Sequence, residues 1–450
     1  MKHVPPRRLA LLILGRLEDT SCLADRHTGD IFGRHHYLSG RDRAFIMHLV
    51  QGVLRFRLRL DWIIGHVSHV PIDRINPPVL NILRMALYQI LFMDRVPDSA
   101  AVNEAVKQVK GISRKTAGFV NGVLRQACRL KNDIPFPDRK KDLVRYLSVF
   151  YSYPVWLVHK WIRELGPDAT EALLEAGNRI PSLTIRTNCL RIGREELIER
   201  LRAEGVECMP TPYAPEGIRI SGMVGPVTDI NAFKQGLFQI QGEAAQLVSH
   251  LLRPAKDERI LDVCAGLGGK TTHIAELTGK RGQIVSVDTN RNKLASLLDS
   301  AWRLGTEKCV RPVVADALGT LPFFDCSFQK ILVDSPWSVL GVISKHPDSK
   351  WAKSARDIRR LSKLQLTILN RCAALLSRGG TLLYVTCTIS KEENEDVVQA
   401  FLDKNKDMAL SESDIPQYLK RFISPDGFFR TLPYLHGMDG FFAATFSKQK

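Results

Sequence analysis

Apolar residues recur at helical spacing from Arg43 to Ile64, from Val79 to Phe92 and from Ala101 to Val109, with turn and breaker residues between them, so residues 5–130 are predicted to be all helix. Helical spacing returns from Trp156 to Ala176. Strand-like Ser182–Arg186 and Gly217–Ile220 then flank a helical Glu195–Glu204, which predicts a small sheet with helices on one face. From Arg259 the pattern alternates. Strands are predicted at Ile260–Val263, Ile284–Val287, Val310–Val314, Ile331–Val333, Thr381–Cys387 and Phe441–Phe446, with helices from Thr271, over Arg291–Leu304 and near Ile358–Leu376. This alternation predicts a doubly wound, mostly parallel α/β sheet whose ligands sit beyond the carboxyl ends of the strands. The proline-bearing Asn132–Asp138 marks a boundary. Three domains are therefore expected: helical 1–140, linker helices with a small α+β domain at 141–235, and an α/β domain at 236–450.

Charge narrows the partner. The 450 residues carry 64 Lys plus Arg against 47 Asp plus Glu, a net +17. Residues 1–140 hold 23 basic and 12 acidic side chains, so +11 of that excess lies in the first third. An acidic polymer fits such a handle better than an acidic small molecule. Arg55, Arg57 and Arg59, and the basic turn Lys110–Lys115, read equally well as polyanion contacts or as solvated helix faces. The middle piece has the look of an RNA-recognition-like domain without its aromatic strand motif.

Nine cysteines, including Cys22, form no C-x-x-C pair, which argues for a reducing compartment and against disulfides or a structural zinc; no metal is expected. Arg7-Arg8 followed by Leu9–Leu14 imitates a signal peptide, but charges at Arg16, Glu18 and Asp19 end the run, so a first helix is expected. No stretch of 18 apolar residues occurs, so no membrane partner is expected and a cytoplasmic location is.

The chemistry gathers at strand ends. Asp262–Thr271 places glycines at 266, 268 and 269 between a strand and a helix, letting backbone approach a nucleotide-like ligand. The first glycine of a Walker A loop would fall on Cys264, and G-x-G-x-x-G also fails, so ATP hydrolysis and NAD are disfavoured. Asp288 ends the next strand, where a carboxylate accepts from ribose hydroxyls; Asp316, one strand on, reads as an adenine contact or, more often, a helix cap. Asp334 ends an acidic strand, and Cys387 ends the run Thr381–Cys387 after the turn Arg378-Gly-Gly380. That thiol is a candidate nucleophile, whereas Cys264 reads as structural.

Leu38–Phe45 and Val96–Glu104 resemble the NusB-like domain of bacterial rRNA cytosine-C5 methyltransferases of the Sun/Fmu (RsmB) kind, and the resemblance continues through Phe238–Gln246, Cys264–Lys270, Asp334–Trp337, His346–Trp351, Thr386-Cys387 and Asp439–Phe442. It implies an all-α NusB-like domain, an RNA-recognition-like middle domain and a class I methyltransferase domain. S-adenosylmethionine would be held by Cys264, Ala265, Gly266, Leu267, Gly268, Gly269, Lys270, Asp288, Asp316 and Asp334. Cys387 resembles the thiol that attacks cytosine C6, with Asp334 on N3 and N4. Small-subunit ribosomal RNA is the implied partner, DNA is not, and a monomer is expected. The alternatives are a non-catalytic RNA-binding or assembly protein, and a tRNA methyltransferase. The chain departs from the family at Trp337, where relatives carry a cysteine that helps release product, at Ala265-Gly266-Leu267-Gly268, where relatives have Ala-Ala-Pro-Gly, and at Gly242, a usual Asp.

Overall fold

The computed structural model describes residues 4–19, 24–223, 225–411 and 415–449; Cys22 lies outside them. The chain divides into two compact units, Met1–Arg179 with Ile343–Ala352, and Ile180–Val342 with Lys353–Lys450.

The first unit is helical. Pro6–Asp19, Ala24–Arg34, Gly40–Val67, Pro77–Phe92, Asp98–Lys110 and Ala117–Leu130 share one apolar core, and Leu143–Tyr151, Val155–Leu165 and Pro167–Asn178 follow. Local chemistry sets the starts: Ser39 and Asp42 form a capping box on Gly40–Val67, and Pro77 opens Pro77–Phe92, which is buried throughout Asn81–Ile90, from its first turn. The three arginines lie on the kinked helix around Phe56. None is a fully solvated charge: Arg55 is buried and donates to the Ser344 carbonyl at 2.6 Å, Arg57 sits over the Trp351 ring, and Arg59 over Phe150. The segment Ile343–Ala352 thereby completes this unit. Its Lys350 is fully buried, donating to the carbonyls of Arg55 and Ser152 and to Asn178 Oδ1 at 3.0, 3.2 and 2.7 Å, with its ammonium 3.6 Å from the Tyr153 ring centroid. Trp351 Nε1 donates to the Leu54 carbonyl at 2.7 Å.

The second unit holds two sheets. The smaller is antiparallel in the order β2-β3-β1-β4, built from β1 (Leu183–Thr187), β2 (Glu207–Pro210), β3 (Gly217–Gly222) and β4 (Phe238–Ile240), with Arg194–Ala203 packed against it. Two of these strands, β2 and β4, carry too few residues for periodicity to find. The larger sheet comprises β5 (Arg259–Val263), β6 (Gln283–Asp288), β7 (Val310–Val314), β8 (Phe328–Asp334), β9 (Leu376–Thr386), β10 (Met408–Leu410), β11 (Phe429–Thr431) and β12 (Phe441–Lys448). Its order is β10-β12-β9-β8-β5-β6-β7, with β11 beside β12. Strands β5 to β9 are parallel, and β12 runs antiparallel to β9 at one side, so the sheet is mixed. Among the described residues no helix is long and apolar enough to cross a membrane.

Candidate active site

From β5 the chain winds outward to β6 and β7, then returns to the other side of β5 for β8 and β9. Such a reversal leaves a crevice beyond the strand ends, because the connections on its two sides lead away from each other. A cavity of about 600 Å³ lies there. Its wall includes Cys264, Ala265, Gly266, Leu267, Gly269 and Lys270 after β5, Asp288 at the end of β6, Asp316 beyond β7, and Asp334, Pro336 and Trp337 at the end of β8. Gly268 and Cys387 do not line it.

The turn after β5 is left-handed at Cys264, Gly266 and Gly268, with φ of 64°, 58° and 79°. Gly268 faces the helix Arg291–Leu304, where a Cβ would come 2.3 Å from Leu297 Cγ, so only glycine fits. The turn is tied to β6 by Asp288, whose Oδ2 accepts from the Gly266 N–H at 3.0 Å while Oδ1 accepts from Asn290 N–H at 2.8 Å. Each carboxylate oxygen keeps a further lone pair for a ligand hydroxyl. Asp316 stands on the cavity wall, and its Oδ1 accepts from the Leu318 N–H at 2.9 Å within a turn; no helix begins there, so it is not the helix cap that the sequence suggested.

Lys270 Nζ donates to Asp334 Oδ2 at 2.7 Å. Burial works against the ammonium, but Asp334 and then Cys387 outweigh it and hold the Lys270 pKa above its ordinary value. Asp334 Oδ1 is buried with no hydrogen-bond partner, an acceptor open to a donor from a bound molecule. Beneath the turn, burial pushes Asp262 up to about 7 against the hydrogen bond it accepts from Thr271 Oγ1 at 2.6 Å. Burial, with Asp334 next, also pushes the Cys264 thiol far up, so this sulfur stays protonated and is no nucleophile.

Cys387 follows β9 immediately, next to β8, whose Asp334 pairs with Val385. It is 4% exposed and belongs to an apolar cluster with Met438 and Phe441, against which Trp337 packs. Its carbonyl accepts from the Gly341 N–H at 3.1 Å.

Periodicity carried no sign of two polar groups below the cavity. Arg186 of β1 is fully buried and reaches Gly269 and Gln241, both on the cavity wall. Glu216 accepts at one oxygen from His250 Nε2 at 2.7 Å and His273 Nε2 at 2.5 Å. These three side chains bring potential metal-ligand atoms within 4.8 Å of one another. The two nitrogens converge on the carboxylate oxygen itself at hydrogen-bond distance, closer than two ligands stand around a zinc ion bound at ~2.0–2.2 Å. Burial and Arg186 push His273 down to about 3, so it donates as a neutral ring. Burial alone would raise Glu216, but the hydrogen bonds from His250 and His273 outweigh it and hold the carboxyl well below its usual range.

The cavity fits a nucleoside-bearing ligand: a glycine turn that brings backbone close, carboxylates with spare lone pairs at two successive strand ends, and a volume in the ordinary range for small-molecule sites of roughly 300–1,000 Å³. Comparison with known proteins agrees. Residues 249–447 match the family described as 16S rRNA methyltransferase RsmB/F, residues 5–129 the NusB family, and residues 153–228 the ferredoxin-like domain of the RsmF/B-like methyltransferases. A Bacillus subtilis protein named as a probable ribosomal RNA small subunit methyltransferase B is 34% identical over the whole of both chains. The ribosomal RNA small subunit methyltransferase B of Klebsiella pneumoniae is 34% identical over 92% of each. Among solved structures, PH0851 covers 99% of this chain and 100% of its own at 28% identity with a TM-score of 0.78. NSun6 from Pyrococcus horikoshii, solved with SFG, covers 67% of this chain and 100% of its own at 25% identity and a TM-score of 0.59. The chain belongs to the RsmB/F family of 16S rRNA methyltransferases, with its NusB-like, ferredoxin-like and Rossmann-like parts, and its methyl donor is S-adenosylmethionine.

Proposed function

We propose that this protein methylates C5 of a cytosine in small-subunit ribosomal RNA through a transient bond between Cys387 Sγ and C6 of the base. The observation that carries this reading is the arrangement at the ends of β8 and β9: a carboxylate with one oxygen paired to Lys270 and one free of partners, and a thiol on the adjacent strand. Bound in the cavity, the sulfonium of S-adenosylmethionine supplies an electrophilic methyl group. Cys264–Leu267, Gly269, Lys270, Asp288 and Asp316 hold the donor, with Gly268 shaping the turn and Asp334 between donor and base. The thiolate of Cys387 adds to C6, and the ring electrons move onto C5, which makes that carbon nucleophilic. Asp334 Oδ1 accepts from the exocyclic amine beside the ring N3, and Lys270 keeps that carboxyl oriented. After C5 is methylated, a base removes its proton, the electron pair re-forms the C5–C6 double bond, and the Sγ–C6 bond breaks to return the thiolate.

The chemistry requires a base out of its stack, since the sulfur cannot reach C6 within a helix. Because Cys387 is 4% exposed, it also requires the apolar side chains of its cluster to part when RNA binds. Ribosomal RNA as substrate is supported by the names of the relatives, and cytoplasmic action accords with it. The test is transfer of labelled methyl to ribosomal RNA lacking the modification, followed by bisulfite sequencing. Cys387→Ala is expected to lower transfer at least 1,000-fold with donor affinity within threefold of the parent; unchanged transfer in that variant removes the mechanism. The buried thiol also suits a second reading, an RNA-binding protein whose methyltransferase unit is idle. Calorimetry finding no donor binding by the parent chain would favour that one.

A further inference from the structure

Arg186 lies on β1, outside the methyltransferase sheet, and is buried with no exposed surface. Its five N–H groups are all engaged. Nη1 donates to the Gly269 carbonyl at 2.9 Å and to Gln241 Oε1, Nη2 to Thr272 Oγ1 at 3.2 Å and Glu276 Oε1 at 2.6 Å, and Nε to Glu276 Oε2 at 3.2 Å. Five acceptor atoms on four residues thus come from the first turn of the helix Gly269–Leu277, from its last turn, and from Gln241. Gly269 and Gln241 both line the cavity. A single ion pair with Glu276 would satisfy the charge, yet two of the five bonds run to cavity-wall residues. Lysine, a point charge with three donors on a flexible stem, cannot reproduce this fork.

We propose that Arg186 is a positioning residue for the methyl-donor site: it fixes the first turn of the helix Gly269–Leu277 and the Gln241 side chain against the small sheet, and so sets donor affinity. It touches no donor atom itself. The Glu216–His273 contact braces the same helix, so the ferredoxin-like sheet serves as the bed of the cofactor turn. Displacing a binding group by about 1 Å is enough to cost an order of magnitude or more in function.

The proposal rests on the cavity being the donor site, and the experiment separates the two. In the full chain, S-adenosylmethionine dissociation constants are measured by calorimetry, with KM and kcat alongside, for the parent, for Arg186→Lys, and for the double variant Arg186→Met/Glu276→Leu. The double variant removes the buried charges together, a change that folds often tolerate. Both variants are expected to bind the donor roughly tenfold or more weakly. KM for the donor should rise by a similar factor, with kcat at saturating donor and KM for RNA within threefold of the parent. Parent-like affinity in the double variant reduces Arg186 to a partner for Glu276 and overturns the proposal. Failure of both variants to fold overturns it too, since the residue then serves the fold alone. No binding by the parent chain refutes the donor-site reading instead.

Discussion

His273 is the side chain on which pH acts most directly. Its folded pKa is depressed to about 3 from 6.5, so below pH 6.5 the unfolded chain binds a proton there that the folded chain refuses. Stability contributed by the neutral ring is whole above pH 6.5 and is lost progressively as pH falls toward 3. At ~1.4 kcal/mol per pKa unit, the fall from 6.5 to 5 amounts to about 2 kcal/mol. Glu216, depressed from 4.5, loses its contribution only at lower pH and does not enter this window. Unfolding free energies from urea titrations at pH 7 and pH 5 are expected to differ more for the parent than for His273→Gln, by about 2 kcal/mol. Trp337 gives a second expectation. The family resemblance implies a release cysteine where this chain has the Trp337 indole, so under the proposed mechanism a denaturant-stable protein–RNA adduct should build up during turnover, visible as a slow band on a denaturing gel. Trp337→Cys should diminish the band and raise kcat; an equal absence of adduct in both would assign release to another group.

At the scale of elements, the turn between β5 and Gly269–Leu277 is held by steric exclusion as much as by hydrogen bonds. Gly268→Ala puts a Cβ at φ +79° and 2.3 Å from Leu297 Cγ, so we expect a loss of roughly 1–3 kcal/mol and weakened donor binding. This turn was legible in the sequence because its glycines, the charge of Lys270 and the strand-end aspartates fall at spacings that strand–turn–helix geometry imposes. Strands β2 and β4 were not, being too short for alternation to register. Nor was the role of Arg186: it stands in a strand of another sheet, and an arginine in a small sheet reads as surface until the structure buries it. The arginines at 55, 57 and 59 misled in the same way. Their charge suggested an exposed face, whereas Arg55 lies inside the first unit and the other two lie over aromatic rings.

For the whole molecule, the excess of positive charge in the first third has a measurable counterpart. With Arg55, Arg57 and Arg59 partly or wholly withdrawn, the exposed Lys110, Arg114 and Lys115 are the candidate contacts for phosphate that remain in these two segments. Replacing all three by Glu is expected to weaken RNA binding at least tenfold near 0.1 M salt and to flatten the plot of log affinity against log salt by about two to three units, at ~0.7–0.9 per contact. Identical slopes for parent and variant would show that RNA does not touch this turn. The division of the chain carries a consequence for its birth. The first unit includes Ile343–Ala352, and Lys350 caps three acceptors, at Arg55, Ser152 and Asn178, that were made far earlier. At ribosomal speeds of about 5–20 residues per second, the stretch from residue 179 to 352 takes roughly ten to thirty-five seconds to emerge. Through that interval the helices at the amino end wait with a gap in their interior, and the nascent protein closes it only when the plug arrives from the far side of the cofactor turn.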